Sequence, residues 1–160
     1  METKSVPGDP GDFILEAADF GLQVAAKLIG FVPSAKSKDF ATMISMSATL
    51  LSEVGKEVNR NATCFKENFP ATFEQLTMKC KNEYETVLAA LVKAMSWKKG
   101  ESVEGTEELP TGSWKRVIHA LAMDKDKLEN FEKALGDSYV RALALQYMVS
   151  LVVLQIRAQK

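Results

Sequence analysis

The stretch FILEAADFGLQVAAKLIGFV, residues 13–32, reads either as a membrane span or as the wall of a water-soluble core, and the fold turns on which. Twenty residues of helix are about 30 Å long, enough to cross the hydrocarbon of a bilayer. Its four strongly polar residues, Glu16, Asp19, Gln23 and Lys27, are spaced three, four and four apart. At about 100° per residue they fall within an arc of roughly 80° on the helical wheel. A single span needs no such stripe, and each acid near a bilayer centre costs on the order of 3 kcal/mol. The stretch is therefore an amphipathic helix that turns its stripe to water and the remainder to a core.

Asp12 is placed to cap this helix, and Pro33 forbids its continuation past Val32. Before it, Pro7, Gly8, Pro10 and Gly11 punctuate a polar stretch, so residues 1–11 read as a flexible lead and 12–160 as one domain. Beyond it, SKDFATMISMSATLLSEVGKEVNRN predicts a second helix capped by Ser37 or Ser34, with Phe40, Met43, Ile44, Leu50, Leu51, Val54 and Val58 at helical spacing. Asn59, Asn61 and Thr63 mark a turn, and Pro70 suits the first turn of a third helix. There Phe73, Leu76, Cys80, Tyr84, Val87, Leu88, Leu91 and Met95 recur three and four apart. Residues 98–113 have glycines, Pro110 and no apolar period, which predicts an exposed loop. Ser113 caps a short helix, WKRVIHALAM, and Asp124 or Asp126 starts the last one.

No segment alternates like a half-buried strand, so the expected fold class is all-α, a single bundle of four long helices plus one short helix. The last helix stands apart. Its polar residues Arg141, Gln146, Ser150, Gln155 and Arg157 fall on several sides of the wheel, which leaves no consistent wet face. That pattern predicts that its second half lies at the centre of the bundle, with the other long helices around it. It runs to Lys160 without a glycine or proline stop, as a domain followed by further chain would.

Composition narrows the function classes. With 46% hydrophobic and 26% charged residues the chain is globular rather than disordered or fibrous, and 160 residues suffice for one self-sufficient core. A net charge of −1 gives no electrostatic footprint for nucleic acid. METKSVPGDPGD lacks the basic and apolar pattern of a signal peptide, so the expected setting is a reducing cytosol with Cys64 and Cys80 as thiols. In that setting the Asn61-Ala62-Thr63 sequon is not expected to carry sugar.

The chemistry-bearing inventory is thin. His119 is the only histidine, the cysteines lack CxxC spacing, and there is neither a GxxxxGK[ST] nor a GxGxxG motif. Cys80 sits in the apolar register of its helix, which predicts a buried structural thiol, and Cys64 lies in the more exposed turn. Glu83 and Glu85 point to different sides of a helix and make no carboxylate pair. The reading is of no enzyme, no metal, no cofactor and no small-molecule substrate.

Two features point to contact instead. Trp97 with Lys98-Lys99 and Trp114 with Lys115-Arg116 flank the long loop, a combination that suits a phospholipid headgroup boundary, or tryptophans packed at a bundle end. In the first helix Ala17, Gly21 and Ala25 form one row of small residues, and Ala18, Ala26 and Gly30 the next. Such rows let another helix backbone come close, in a core or in a membrane oligomer.

In this order, ADFGLQVAAKLIGF, SATLLSEVGKEV, YETVLAALVKA, SWKRVIHAL and LENFEKALGDSYVRALALQYMVSLVVLQ resemble the fungal HeLo and HeLo-like N-terminal domains that precede STAND (NLR-like) receptors, ankyrin arrays and prion-forming segments. The resemblance spans residues 12–156, with most weight on LLSEVG and WKR. It implies a signalling bundle of programmed cell death and heterokaryon incompatibility, released by oligomerisation, whose first helix leaves the bundle and inserts in the plasma membrane. Here the polar lead and continuous stripe depart from the most lytic pattern, which leaves room for an adaptor.

The expected function is thus a non-enzymatic effector that oligomerises and targets an anionic membrane. Its expected contacts are Phe13, Ala17, Phe20, Gly21, Leu22, Ala25, Leu28 and Gly30, with headgroup contacts at Trp97, Lys98, Lys99, Trp114, Lys115 and Arg116. The alternative is a soluble interaction bundle whose partner is an identical subunit or another domain of the same protein.

Overall fold

The computed structural model describes residues 8–31, 34–66, 69–96 and 114–159. The predicted loop, Trp97, Lys98, Lys99, the Ser113 cap, Val32 with Pro33, and most of the lead lie outside the described residues. Six helices follow in order: α1 (Asp12–Phe31), α2 (Ala35–Arg60), α3 (Ala62–Phe65), α4 (Ala71–Met95), α5 (Trp114–Leu121) and α6 (Lys125–Ala158). Among the described residues there is no strand.

Local chemistry sets the boundaries. Ser34 caps α2 by accepting from the Ser37 amide at 3.2 Å, and Ser37 Oγ accepts from the Ser34 amide at 3.1 Å, a reciprocal box that satisfies two end donors. Asp124 caps α6 by accepting from the Lys127 amide at 2.8 Å. Asp12 is the first residue of α1 rather than its cap; its carboxylate accepts from the Asp9 amide at 3.1 Å and from Asn59 Nδ2 at 3.0 Å. Gly11 is buried on α2, donating its amide to Asn59 Oδ1 at 2.7 Å, so the described end of the lead is tied down. The turn predicted around Asn61 contains the single-turn α3, whose Phe65 is fully buried. One turn is too short to show a period in sequence.

The four long helices occupy the corners of one bundle. α1 packs on α2 and α4, α6 packs on the same two, and α1 and α6 stand diagonally opposite. Ile14, Leu28, Ile44, Leu51, Tyr84, Leu91, Leu135 and Leu145 fill the shared core with essentially no exposure. The predicted stripe Glu16, Asp19, Gln23 and Lys27 is exposed, and Ala17, Gly21 and Ala25 are buried. A Cβ on Gly21 would lie 2.6 Å from Tyr84 Cε2 and 2.8 Å from Ala48 Cβ, so only glycine lets α1 seat this closely on both neighbours.

The placement of α6 corrects the expectation from its sequence. It is a corner helix, not a central one: Leu135, Ser138, Ala142, Leu145, Val149 and Val153 face the core, and its opposite side is bare. A wheel that is apolar all round signals burial only when neighbours exist for every side. Here the core takes one side and leaves the other apolar.

Candidate interaction surface

The outer face of α6 changes character halfway along. Asp126, Glu129, Lys133 and Asp137 line its first half and are exposed, as on any solvated helix. Continued on the same stripe, the second half presents Val140 (59% exposed), Leu143 (40%), Tyr147 (68%), Leu151 (42%) and Leu154 (64%). Only Ala144 and Ser150 interrupt them, and no charge does. Single exposed apolar side chains need no explanation, but five in a row at spacings of three and four make a patch of the kind that marks contact surfaces.

Polar groups beside the patch are engaged with the bundle. Arg141 pairs with Glu83 of α4 and donates to the Ala134 carbonyl at 3.2 Å, while Arg157 donates to Asn61 Oδ1 at 2.5 Å. These contacts fix the rotation of α6 and therefore which face it leaves outside. Only 15% of either side chain of the Glu83–Arg141 pair is exposed. Burial pushes the Glu83 carboxyl above its usual range, and the Arg141 guanidinium pulls back without overcoming it. On the other flank, α2 contributes Val54, Glu53, Glu57 and Arg60 to a groove of about 620 Å³ against Val140, Leu143 and Tyr147. Its acids are already neutralised locally, Glu57 by Arg60 at 2.7 Å and Glu53 by Lys56 at 3.9 Å; the Arg60 hydrogen bond holds the Glu57 carboxyl low.

The first-helix residues named from sequence are divided between core and surface. Ala17, Gly21, Ala25 and Leu28 are buried, Phe13 and Phe20 half-buried, and Leu22 and Gly30 exposed. Leu22 and Ile29 join Met46 of α2 in a second, smaller apolar groove. At α5, Trp114 is half-buried edge-on against Phe40, with ring centroids 4.9 Å apart. Arg116 is fully buried and Lys115 exposed, so the structure does not gather Trp114, Lys115 and Arg116 on one surface. The basic spacing was visible in sequence; the burial of Arg116 was not.

Inside the bundle the polar groups have structural partners. Tyr84 and Ser47 share a 2.5 Å hydrogen bond between α4 and α2, and burial pushes the phenol up. Cys80 is buried with Sγ 3.8 Å from the Ser138 carbonyl, and desolvation raises its thiol, which makes thiolate scarce. His119 is half-buried on α5, and Cys64 half-buried. Among the described residues no group of three or more His, Cys, Asp or Glu could hold a metal. α6 is the one described helix long and apolar enough to cross a membrane, and only 22% of its most apolar window is buried. The α6 face, missed from sequence because its apolarity was assigned to the core, is the principal candidate surface. No protein-family model, curated protein or solved structure matches the chain.

Proposed function

We propose that this chain is a non-enzymatic helical module that works by association, and that the outer face of α6 from Val140 to Leu154 is its working surface. One observation carries the reading: the charged outer stripe of α6 becomes uncharged and apolar over its second half while the opposite side fills the core. Association through a pre-formed helical face costs little reorganisation, since α6 is already rotated and held by Arg141 and Arg157. A signalling or adaptor role built on oligomerisation fits this surface. Replacing Tyr147 and Leu154 together by Glu tests it. The double variant is expected to keep the helical circular dichroism of the wild type and lose its association with protein or lipid surfaces. Association that survives both charges would sink the reading.

A second reading is membrane targeting, which the length and apolarity of α6 favour; its setting in a fungal cell-death pathway rests on the HeLo resemblance alone. In the form implied by the HeLo resemblance, α1 leaves the bundle and inserts. Its buried row Ala17, Gly21 and Ala25 would then be exposed. Dye leakage from anionic vesicles separates the two helices, because Leu22→Glu with Ile29→Glu charges the already exposed apolar positions of α1 without touching its core face. Leakage lost in that variant and kept in the α6 variant assigns permeabilisation to α1.

A further inference from the structure

We infer that the occupant of the α6 face is a second copy of this chain, lying antiparallel to the first about a two-fold axis at Tyr147. The inference rests on the association reading above and names its partner. Val140 and Leu154 lie seven residues either side of Tyr147, Leu143 and Leu151 four, and Ala144 and Ser150 three. A two-fold contact is self-complementary, so residues at equal distances from its axis come level with one another. In the antiparallel pair each Val140 is level with a Leu154, each Leu143 with a Leu151, and Tyr147 with itself. The helical period puts these positions on one face in any helix; what suits this face to its own copy is that every level pair on it is apolar or small and uncharged.

Charge selects the direction. The stretch 140–154 presents no charge outward, so pairing buries none. A parallel pair would keep both helices in register and set Glu129 against Glu129 and Lys133 against Lys133 along the same stripe, which like charges oppose. The antiparallel pair avoids both. On its two edges the wheel places Asp137 beside the Gln155 of the other copy and Tyr139 beside the other Arg157, so acceptors meet donors.

Area agrees with a reversible contact. The exposed parts of Val140, Leu143, Tyr147, Leu151 and Leu154 add to roughly 500 Å² per copy. Two copies remove roughly 1,000 Å², near the lower limit for specific interfaces, and the exposed groove residues Ala144 and Gln146 add to it. The expected dimer dissociates on the order of micromolar.

The experiment is sedimentation velocity on the full chain from about 1 to 200 µM, a range spanning that affinity. The mass is expected to rise from 17.6 kDa toward twice that value, and Tyr147→Glu to weaken the dimer at least about 100-fold. Cross-linking then reads the geometry in a Cys64→Ser background. Tyr147→Cys is expected to form a disulfide with its own copy under mild oxidation, whereas Val140→Cys and Leu154→Cys do so only when mixed. This arm stands even if the glutamate variant folds poorly. Self-cross-linking by Val140→Cys and Leu154→Cys alone, or a dimer indifferent to Tyr147→Glu, overturns the proposal. A chain monomeric throughout also overturns it. Co-sedimentation with phosphatidylcholine–phosphatidylserine vesicles then separates the two failures. Vesicle binding abolished by Tyr147→Glu leaves the working face intact with a lipid occupant, and absence of binding removes the association reading as well.

Discussion

α1 and the second half of α6 are both rich in apolar residues, stand at opposite corners of the bundle, and pack on the same two helices. They differ in what their outer faces carry. α1 turns Glu16, Asp19, Gln23 and Lys27 to water and keeps Ile14, Ala17, Gly21, Val24 and Leu28 inside. The second half of α6 turns Val140, Leu143, Tyr147, Leu151 and Leu154 outward, although its inner face is as apolar as that of α1. The lesson is that apolar content alone says how much surface a helix can bury, while the position of its polar stripe says whether the fold has already buried it. The fold covers most of the apolar surface of α1, leaving Leu22 and Ile29 at its flank, and leaves the whole outer face of the second half of α6 bare.

The sharpest way to break this comparison is truncation on both sides of it. Leu28→Ala, at a fully buried site of α1, is expected to cost about 3 kcal/mol in urea unfolding, whereas Leu154→Ala is expected to fall within about 0.5 kcal/mol of wild type at concentrations that favour monomer. Equal losses would mean that α6 is buried in solution after all.

Nearly as large is the effect of freeing α6 from its anchor. Arg141→Met leaves Glu83 without its strongest attractive neighbour and is expected to cost about 3 kcal/mol near neutral pH. The pH dependence has a definite sign. Burial raises the folded-state pKa of Glu83, so the fold binds that proton more tightly than the unfolded chain does. This group's stabilising contribution is complete below the unfolded value of 4.5 and is lost as pH rises through the folded one. Losing Arg141 lifts the folded value further, so urea midpoints of the variant are expected to approach wild type as pH falls toward 4.5. A gap that stays constant with pH would place the cost in packing rather than in the carboxylate.

Two glycines give a matched pair of opposite sign. Gly21→Ala is expected to destabilise by about 1 to 2 kcal/mol, because its methyl group runs into Tyr84 and Ala48. Gly136→Ala is expected to stabilise by about 0.5 to 1 kcal/mol, since its Cβ meets only Met43 Sδ at an ordinary 3.5 Å and alanine favours helix. Thermal melts of the two variants shifting in the same direction would contradict the difference in packing between the two helices. The smallest effect on the fold is expected at Tyr147→Glu, within about 0.5 kcal/mol for the monomer.

Features that depend on neighbours in sequence were legible before the structure. The stripe of α1 and the buried register of Cys80 follow from spacings of a few residues, and the caps of α2 and α6 were narrowed to two candidates each, of which the structure has Ser34 and Asp124. What depended on distant chain was not. Glu83 is 58 residues from Arg141, and nothing in either segment announces the pair. Arg116 looked like a surface cation from its basic neighbour, yet α5 packs on α4 with that residue fully inside. For α6 the sequence admitted two arrangements, neighbours on every side or an apolar face left bare, and periodicity cannot count neighbours. The candidate surface was therefore hidden by the same density of apolar residues that creates it.

The route by which the chain reaches this bundle follows from the diagonal placement of α1 and α6. α1 and α2 are consecutive, joined by a short connection, and make the most extensive contact among the described helices. Contacts local in sequence close at low entropic cost, so this hairpin is expected to form early. α6 docks on α2 and α4 and so must wait for both. Until it arrives, its inner and outer faces are both uncovered. α6 docking is thus expected to come last, after the rate-limiting step, and substitutions at its inner face, such as Leu145→Ala, to accelerate unfolding more than they retard refolding in stopped-flow measurements.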